Sequence, residues 1–343
     1  MGLNKRLIGG AAAVVPTNTD NFDIVTYAGT NTTNSITSLD FQPDLVWIKN
    51  RDNANDHFLT DSVRGAGAYV QSNNSNAEDT TSRFNSFNSN GFTVSTDTAL
   101  LNNTAYNYVA WCFKGGGSAV SNTDGDVTAQ VSANPEAGFS IITYTGDGTN
   151  NASVGHGLNQ APEFFIYKRT SSTSDWSVVH KDINSYQGYI VFNGTGSSTT
   201  DSAMQAPDSS VINFNTTSPT FNGSGQEWLI YAFHSVDGYQ KVGSYTGDGN
   251  FAGPTVTTGF SPRFVMLKNA SSSSRDSIDC DWYIFDTARD TGTLGKKLEA
   301  STNNAEEDIS NNGVAILSDG FRIYRTAGDM NRSGDNYIYL AIA

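Results

Sequence analysis

Four histidines, two cysteines and 34 acidic side chains are what this 343-residue chain has for metal, nucleophilic or acid–base chemistry, and their spacing assembles little of it. His57, His156, His180 and His234 are scattered, with no HxH, HxxxH or Cys/His pair at metal-ligand spacing. Cys112 and Cys280 lie beside aromatic residues in WCF and CDW and read as unpaired core thiols of a protein made in a reducing cytoplasm. There is no Gly-x-Ser-x-Gly elbow and no cysteine placed with a histidine as nucleophile. NTDGD, Asn122 to Asp126, has the flavour of a calcium loop but lacks the later bidentate glutamate and reads as a turn; a surface calcium on loop carboxylates stays open. Glycoside hydrolysis would need two carboxylates some ~5 to 10 Å apart. Asp61, Asp175, Asp281, Asp286, Glu78 and Glu306 are available, yet most of them recur at matching places in a repeat, which a duplicated fold explains more simply. No enzyme, no cofactor and no bound metal is the expectation. The better functional lead is aromatic, because sugar faces stack on indole and phenol rings. Trp176 and Trp282 share one repeat position, where the first copy has His57. These three are the candidate glycan contacts, set against the alternative that a tryptophan repeated in an alternating strand belongs to the core.

The elements that would position them are spelled three times. GFSIITYTGDG, then APEFFIYKRT, then SDWSVVH is matched by GYQKVGSYTGDG, SPRFVMLKNA and CDWYIFDTARD, and earlier by NFDIVTYAGTN, QPDLVWIKNR and NDHFLTDSVRG. In each copy a proline (Pro43, Pro162, Pro262) leads an apolar strand ending in a lysine (Lys49, Lys168, Lys268), and an aspartate (Asp56, Asp175, Asp281) opens the next strand. The copies start about a hundred residues apart, a domain-sized interval and not a solenoid rung. Each ends on a run apolar on both faces, YVAWCF, WLIYAFH and YIYLAIA, which predicts a central buried strand. T-G-D-G between such runs predicts a β-hairpin turn, since Gly and Asp accept positive φ. A phosphate loop is excluded, because no helix follows it. Copies one and three also share SNNSNAED before SNGFTV and STNNAEED before SDGFRI, whereas copy two replaces this segment with GTGSSTTDSAMQAPDSSVINFNTTSPTF.

Composition agrees with an all-β fold: 37% hydrophobic, 11% aromatic, 16% charged, with 33 Gly. We expect tandem β-sandwich domains of jelly-roll or lectin-like type in three homologous repeats. Their bounds are a docking arm at 1–19, repeat one at 20–117, a Gly/Ser/Asp-rich linker at 118–137, repeat two at 138–236 and repeat three at 237–343. Helix is expected only as turns near Asp61 to Gly67 and Thr287 to Lys297. KGGGSAVSNTDGDV predicts that repeat one sits apart, while HSVDGYQ leaves no slack between two and three. A net charge of -14 excludes a broad nucleic-acid surface, no apolar run is long enough for a membrane span, and AAAVV is too short for a signal-peptide core. The chain reads as soluble. Its basic start, MGLNKRLIGG, reads as the arm, with Leu3, Lys5, Arg6, Leu7 and Ile8 as docking residues.

The repeated strings, together with MGLNKRLIGG, TYAGTN, TSLDFQPDLVWIKNR and YVAWCFKGGG, resemble a module found in virion proteins of tailed bacteriophages, many of them marine. The resemblance runs from about Asn4 to Ala343 and transfers no catalytic residue. It implies a structural virion protein made in the host cytoplasm, in a tail fibre or tail-associated appendage, with other virion proteins bound through the arm and host-surface glycan as a further contact. A capsid-decoration or head-fibre protein is the alternative within that class, and a polysaccharide depolymerase the alternative outside it. Fibres are often threefold, so a homo-oligomer is expected, although three repeats could also imitate a trimer within one chain.

Overall fold

A computed structural model describes residues 20–96, 100–200, 204–214, 221–271 and 280–343. The docking-arm residues Leu3, Lys5, Arg6, Leu7 and Ile8 lie outside them. Among the described residues no α-helix occurs, and the only helical element is a 3-10 turn at Asn184–Tyr186. The two segments expected as helical turns, Asp61 to Gly67 and Thr287 to Lys297, are instead strand ends and turns, with short strands at Thr293–Leu294 and Lys296–Glu299. Both stretches are rich in Thr, Ser, Gly and Asp, which compete with helix by bonding their own backbone.

The closing runs are central strands, as their two apolar faces require. Asn107–Phe113, Glu227–Phe233 and Asn336–Ile342 each lie between the first strand of their unit (Phe22–Ala28, Phe139–Thr145, Gln240–Thr246) and the proline-led strand (Leu45–Asn50, Phe164–Arg169, Phe264–Asn269). All pairings are antiparallel and in the same register: Tyr27 opposes Tyr108, Tyr144 opposes Trp228, and Tyr245 opposes Tyr337. One face of each central strand packs against a smaller sheet of its own unit. In unit one, for instance, Tyr108, Ala110 and Cys112 meet Phe84, Phe92 and Val94. The other faces turn towards one another. Val109, Trp111 and Phe113 share a single core with Leu229, Tyr231 and Phe233 and with Ile338, Leu340 and Ile342. Three two-layer sandwiches thus close around a common centre. A void of only about 10 Å³ remains there, lined by Leu45, Trp47, Ile166, Tyr231, Met266 and Leu340 among others.

The units are also joined in rings of hydrogen bonds. The Glu78 N–H donates to Thr170 O, Ser198 N–H to Ala270 O and Glu306 N–H to Arg51 O at 2.9, 3.1 and 2.8 Å, so that one leads to two, two to three and three back to one. The expected separation of unit one is therefore corrected. The segment 118–137, expected as a linker, carries strands Val120–Asn122 and Ala129–Asn134, which extend unit two's sheet beyond Phe139–Thr145. Glycines in and just before it serve close contact: a Cβ on Gly125 would lie 2.6 Å from Ser153 O, and one on Gly116 2.4 Å from Ala133 O.

The repeated YTGDG is not a tight hairpin. It ends the first strand and is clamped by an asparagine from the loop before the central strand. The Tyr144 hydroxyl donates to Phe221 O at 2.5 Å, Asp147 N–H donates to Asn222 Oδ1 at 3.1 Å, and Asn222 Nδ2 donates back to Asp147 Oδ1 at 2.7 Å. Unit three repeats this with Tyr245 and Met330 O, and with Asp248 and Asn331; unit one uses Tyr27, Thr30 and Asn102. The first glycine is required because a Cβ on Gly29, Gly146 or Gly247 would lie 2.1 to 2.4 Å from the carbonyl oxygen following the clamp asparagine. The last position takes positive φ, at Asn31, Gly148 and Gly249.

Two outcomes follow from one shared core and three clamps. Urea unfolding followed by tryptophan fluorescence and by far-ultraviolet dichroism should give a single coincident transition, whereas three independent sandwiches would give steps. Asn331→Ala, which strips the partners from Asp248 and from Asn250 O, should lower the unfolding free energy of the whole chain by about 2–3 kcal/mol.

Candidate functional site

Trp176, Trp282 and His57 do come to equivalent places, but inside the molecule, with exposures of 0, 1 and 0%. Each reaches a backbone carbonyl of the neighbouring unit: Trp176 Nε1 donates to Gln71 O at 2.9 Å, Trp282 Nε1 to Val191 O at 3.3 Å, and His57 Nε2 to Glu299 O at 2.9 Å. His57 Nδ1 accepts from Trp47 Nε1, which fixes the neutral tautomer, and burial followed by the Lys49 charge holds the ring's pKa well below its usual range. The candidate glycan contacts are thus corrected to a ring of inter-unit struts. A ring that is 0 or 1% exposed offers no face to a sugar.

Except for the exposed Asp175, the candidate carboxylates are equally committed, Asp281 accepting from the Ser301 hydroxyl at 2.7 Å. Asp61 is paired with Arg64 and accepts from the Tyr231 hydroxyl, and Asp286 is paired with Arg289 and accepts from Trp111 Nε1. Unit two carries His180 and Ile183 at these positions, facing the apolar side of unit three where Leu340 replaces the hydrogen-bonding ring. Glu78 and Glu306 each take an arginine, Arg64 and Arg289, and Glu306 also holds Arg51. In the NTDGD fragment the donors are internal, with Asn122 Nδ2 on Asp124 and the Ser153 hydroxyl on Asp126. Among the described residues no group of three His, Cys, Asp or Glu side chains is placed to hold a metal ion. No described helix is long and apolar enough to cross a membrane.

Three lysines that end the proline-led strands are buried, Lys49, Lys168 and Lys268. Each ammonium is turned back onto loop carbonyls: Asn50 O at 2.7 Å, Ser174 O at 2.5 Å with Ser75 O at 3.1 Å, and Cys280 O. Burial pushes each down to about 8, opposed by Asp56, by Asp175, and by Cys280 with Asp281 respectively. In sequence they are visible only as a repeated lysine at a strand end.

Beneath one cleft of unit two lie buried polar atoms without a partner. Four buried side-chain atoms among the described residues have no hydrogen-bond partner, and three of them, Tyr167 Oη, Arg169 Nε and Trp228 Nε1, belong to residues lining one cleft of unit two. Its volume is about 320 Å³, within the range of small-molecule sites. Tyr167 and Arg169 come from strand Phe164–Arg169, and Trp228 from the adjacent central strand, directly opposite Arg169. Phe221 and Tyr189 complete the aromatic wall, and Asp175 stands exposed at the mouth. Units one and three fill the same register with Ile48, Asn50 and Tyr108 and with Leu267, Asn269 and Tyr337. There the ring hydroxyl is used internally: Asn103 N–H donates to Tyr108 Oη, and Arg332 N–H and Asn269 Nδ2 donate to Tyr337 Oη. Trp228 keeps the stacking on the motif tyrosine, at 6.4 Å from Tyr144 and 15° between planes, but its N–H has lost the internal partner. Leaving a buried donor unpaired costs about 1–3 kcal/mol, so three in one cleft, and at this position of this unit alone, are a departure from the structural pattern that the other two units keep.

The buried lysines fix the direction of a pH effect. In the unfolded chain a lysine keeps its proton to about pH 10.4, whereas these lose it near 8, so between those values the unfolded state binds more protons and stability rises with pH. Urea midpoints measured from about pH 7.5 to about 9.5 should therefore increase, and Lys168→Met should reduce the slope by about a third.

No curated protein and no solved structure matches the chain. A family model described as Domain of unknown function (DUF7483) matches residues 17–343, which take in all three sandwiches and the two strands between the first and second. The chain belongs to the DUF7483 family.

Proposed function

We propose that this protein is a non-enzymatic structural component of a tailed-phage virion, carried on a tail fibre or tail-associated appendage and in contact with host-surface glycan. The module resemblance of the three repeats supplies the phage context. The observation that carries the structural role is the common core. Three sandwiches that bury their inner faces against each other make a rigid body with approximate threefold character from one chain, a shape that seats on a threefold fibre axis. The engagement of Asp61, Asp286, Glu78 and Glu306 in ion pairs supports a scaffold in preference to an acid–base catalyst. Attachment is assigned to residues 1–19, the segment with Lys5 and Arg6 in an acidic chain, which meets an acidic neighbour in the particle.

Cryo-electron microscopy of the intact particle tests this reading. Density for the body on the tail is expected, and copies spread over the head lattice would replace it with a decoration role. A chain lacking Met1 to Pro16 should fold with unchanged dichroism yet fail to enter particles; normal incorporation would overturn the assignment of the arm.

A further inference from the structure

The first strands of the three units differ in what lies beside them. Phe139–Thr145 is covered by strand Ala129–Asn134, whereas Phe22–Ala28 and Gln240–Thr246 end their sheets. In unit one Lys114 N–H donates to Asn21 O and Gly29 N–H to Tyr106 O, so by the alternation of an antiparallel ladder the odd residues between them face the central strand. Phe22, Ile24 and Thr26 therefore turn their N–H and C=O outwards, at the positions where Phe139, Ile141 and Thr143 meet Asn134, Ser132 and Gln130. Among the described residues the outward groups of Phe22 and Thr26 have no hydrogen-bond partner, and the Ile24 N–H has only the adjacent carboxylate, Asp23 Oδ1 at 2.8 Å. Unit three is different: Gln240 N–H donates to Val236 O and Val242 N–H to Ser235 Oγ, so the connection from unit two caps that edge. Side-chain burial follows the same division. Asp23, Val25 and Tyr27 are half-buried and Thr26 is exposed, whereas Ser140, Ile142 and Tyr144 are buried and Thr143 is half-buried. In unit two Ala129 and Val131 share the core that holds Ile142 and Tyr144. A strand edge with unpaired backbone groups and open apolar side chains is a template for a further strand.

The chain holds a segment that fits. With Phe22 laid on Phe139, the residues equivalent to Ala129–Asn134 are 12–17, AAVVPT. Ala12 and Val14 fall on Ala129 and Val131, the two that face the core. The connection has the same length in both units, residues 18–21 matching 135–138, and the chain turns at Asp20, just before the edge. Pro16 falls on Ala133, whose N–H alternates away from Phe139–Thr145, the orientation in which an edge strand tolerates proline. We propose that the free edge of Phe22–Ala28 takes up residues 12–17 of the same chain as an antiparallel strand, with Thr17, Val15 and Ala13 opposite Phe22, Ile24 and Thr26. The attachment arm of the function proposed above then reduces to residues 1–11, rooted on unit one. The pairing itself does not depend on that function.

Six residues in a chain of 343 are too few to register in far-ultraviolet dichroism, so the test is amide exchange resolved by residue. The Thr26 amide should exchange at least about tenfold more slowly in the full-length protein than in the chain lacking Met1 to Pro16. The Val25 and Tyr27 amides, which face the central strand, should be slow in both and report that unit one is folded. Within the full-length protein Val14→Asp should remove the Thr26 protection and Val14→Ile should keep it. Oxidation of the Ala13→Cys, Thr26→Cys double variant should close a disulfide within one chain, because opposed residues in such a ladder have Cα atoms about 5.5 Å apart. The Ala12→Cys, Thr26→Cys pair, with its side chains on opposite faces, should stay reduced. The proposal is overturned if Thr26 exchanges equally fast with and without residues 1–16, if both cysteine pairs close alike, or if the disulfide forms only between two chains, which would make a second copy the occupant. Equal exchange would leave the attachment role of the arm standing, and normal particle entry of the truncated chain would leave this pairing standing.

Discussion

The architecture depends on burying the central strand of each unit on both faces. A run such as Tyr108 to Phe113 cannot leave either side of its sheet to water, and the small sheet of the same unit covers only one. The uncovered inner faces are all built of large apolar side chains and share one core, so three of them solve the problem for one another. The inter-unit bonds follow from that geometry. Once the sheets face inward, strand ends and loops of neighbouring units run alongside, and their backbone groups must be paired across the boundary or lose hydrogen bonds. The Trp176, Trp282 and His57 struts and the Asp61 and Asp286 acceptors are side-chain versions of the same requirement.

How much of this the sequence reveals depends on how local the cause is. A continuous apolar run in one strand announces burial on both faces, so the central strands are legible from YVAWCF, WLIYAFH and YIYLAIA alone. The meaning of YTGDG is not, because its partners Asn222 and Asn331 lie 75 and 83 residues from Asp147 and Asp248. The positive φ at its last residue is read correctly and the turn is not, since a close approach of two loops and a tight hairpin ask for the same small residues. KGGGSAVSNTDGDV misleads in the same way: Gly115, Gly116 and Gly125 there serve close contact with Ser132, Ala133 and Ser153, and only Gly117 uses a positive φ.

The cleft was hidden for a different reason. Tyr167, Arg169 and Trp228 stand on two strands and look like ordinary strand residues, and whether a buried polar atom finds a partner depends on the loops that fold over it. A trace does exist in the alignment of the repeats, where Ile/Leu, Asn/Asn and Tyr/Tyr in units one and three become Tyr, Arg and Trp in unit two. Divergence within the repeat marks this cleft. The agreement marked the scaffold, which is where the repeated tryptophans belong.

Building three sandwiches into one polypeptide also separates symmetry of shape from symmetry of chemistry. A homotrimer is obliged to place the same side chain at all three equivalent positions, whereas this chain sets Asp61–Arg64 and Asp286–Arg289 beside His180 and Ile183, and keeps Tyr167, Arg169 and Trp228 to a single unit. The body therefore carries that cleft once, where a true trimer would carry it three times. On the proposed role in a larger assembly, repetition of such a feature comes from the number of bodies displayed and not from the body itself.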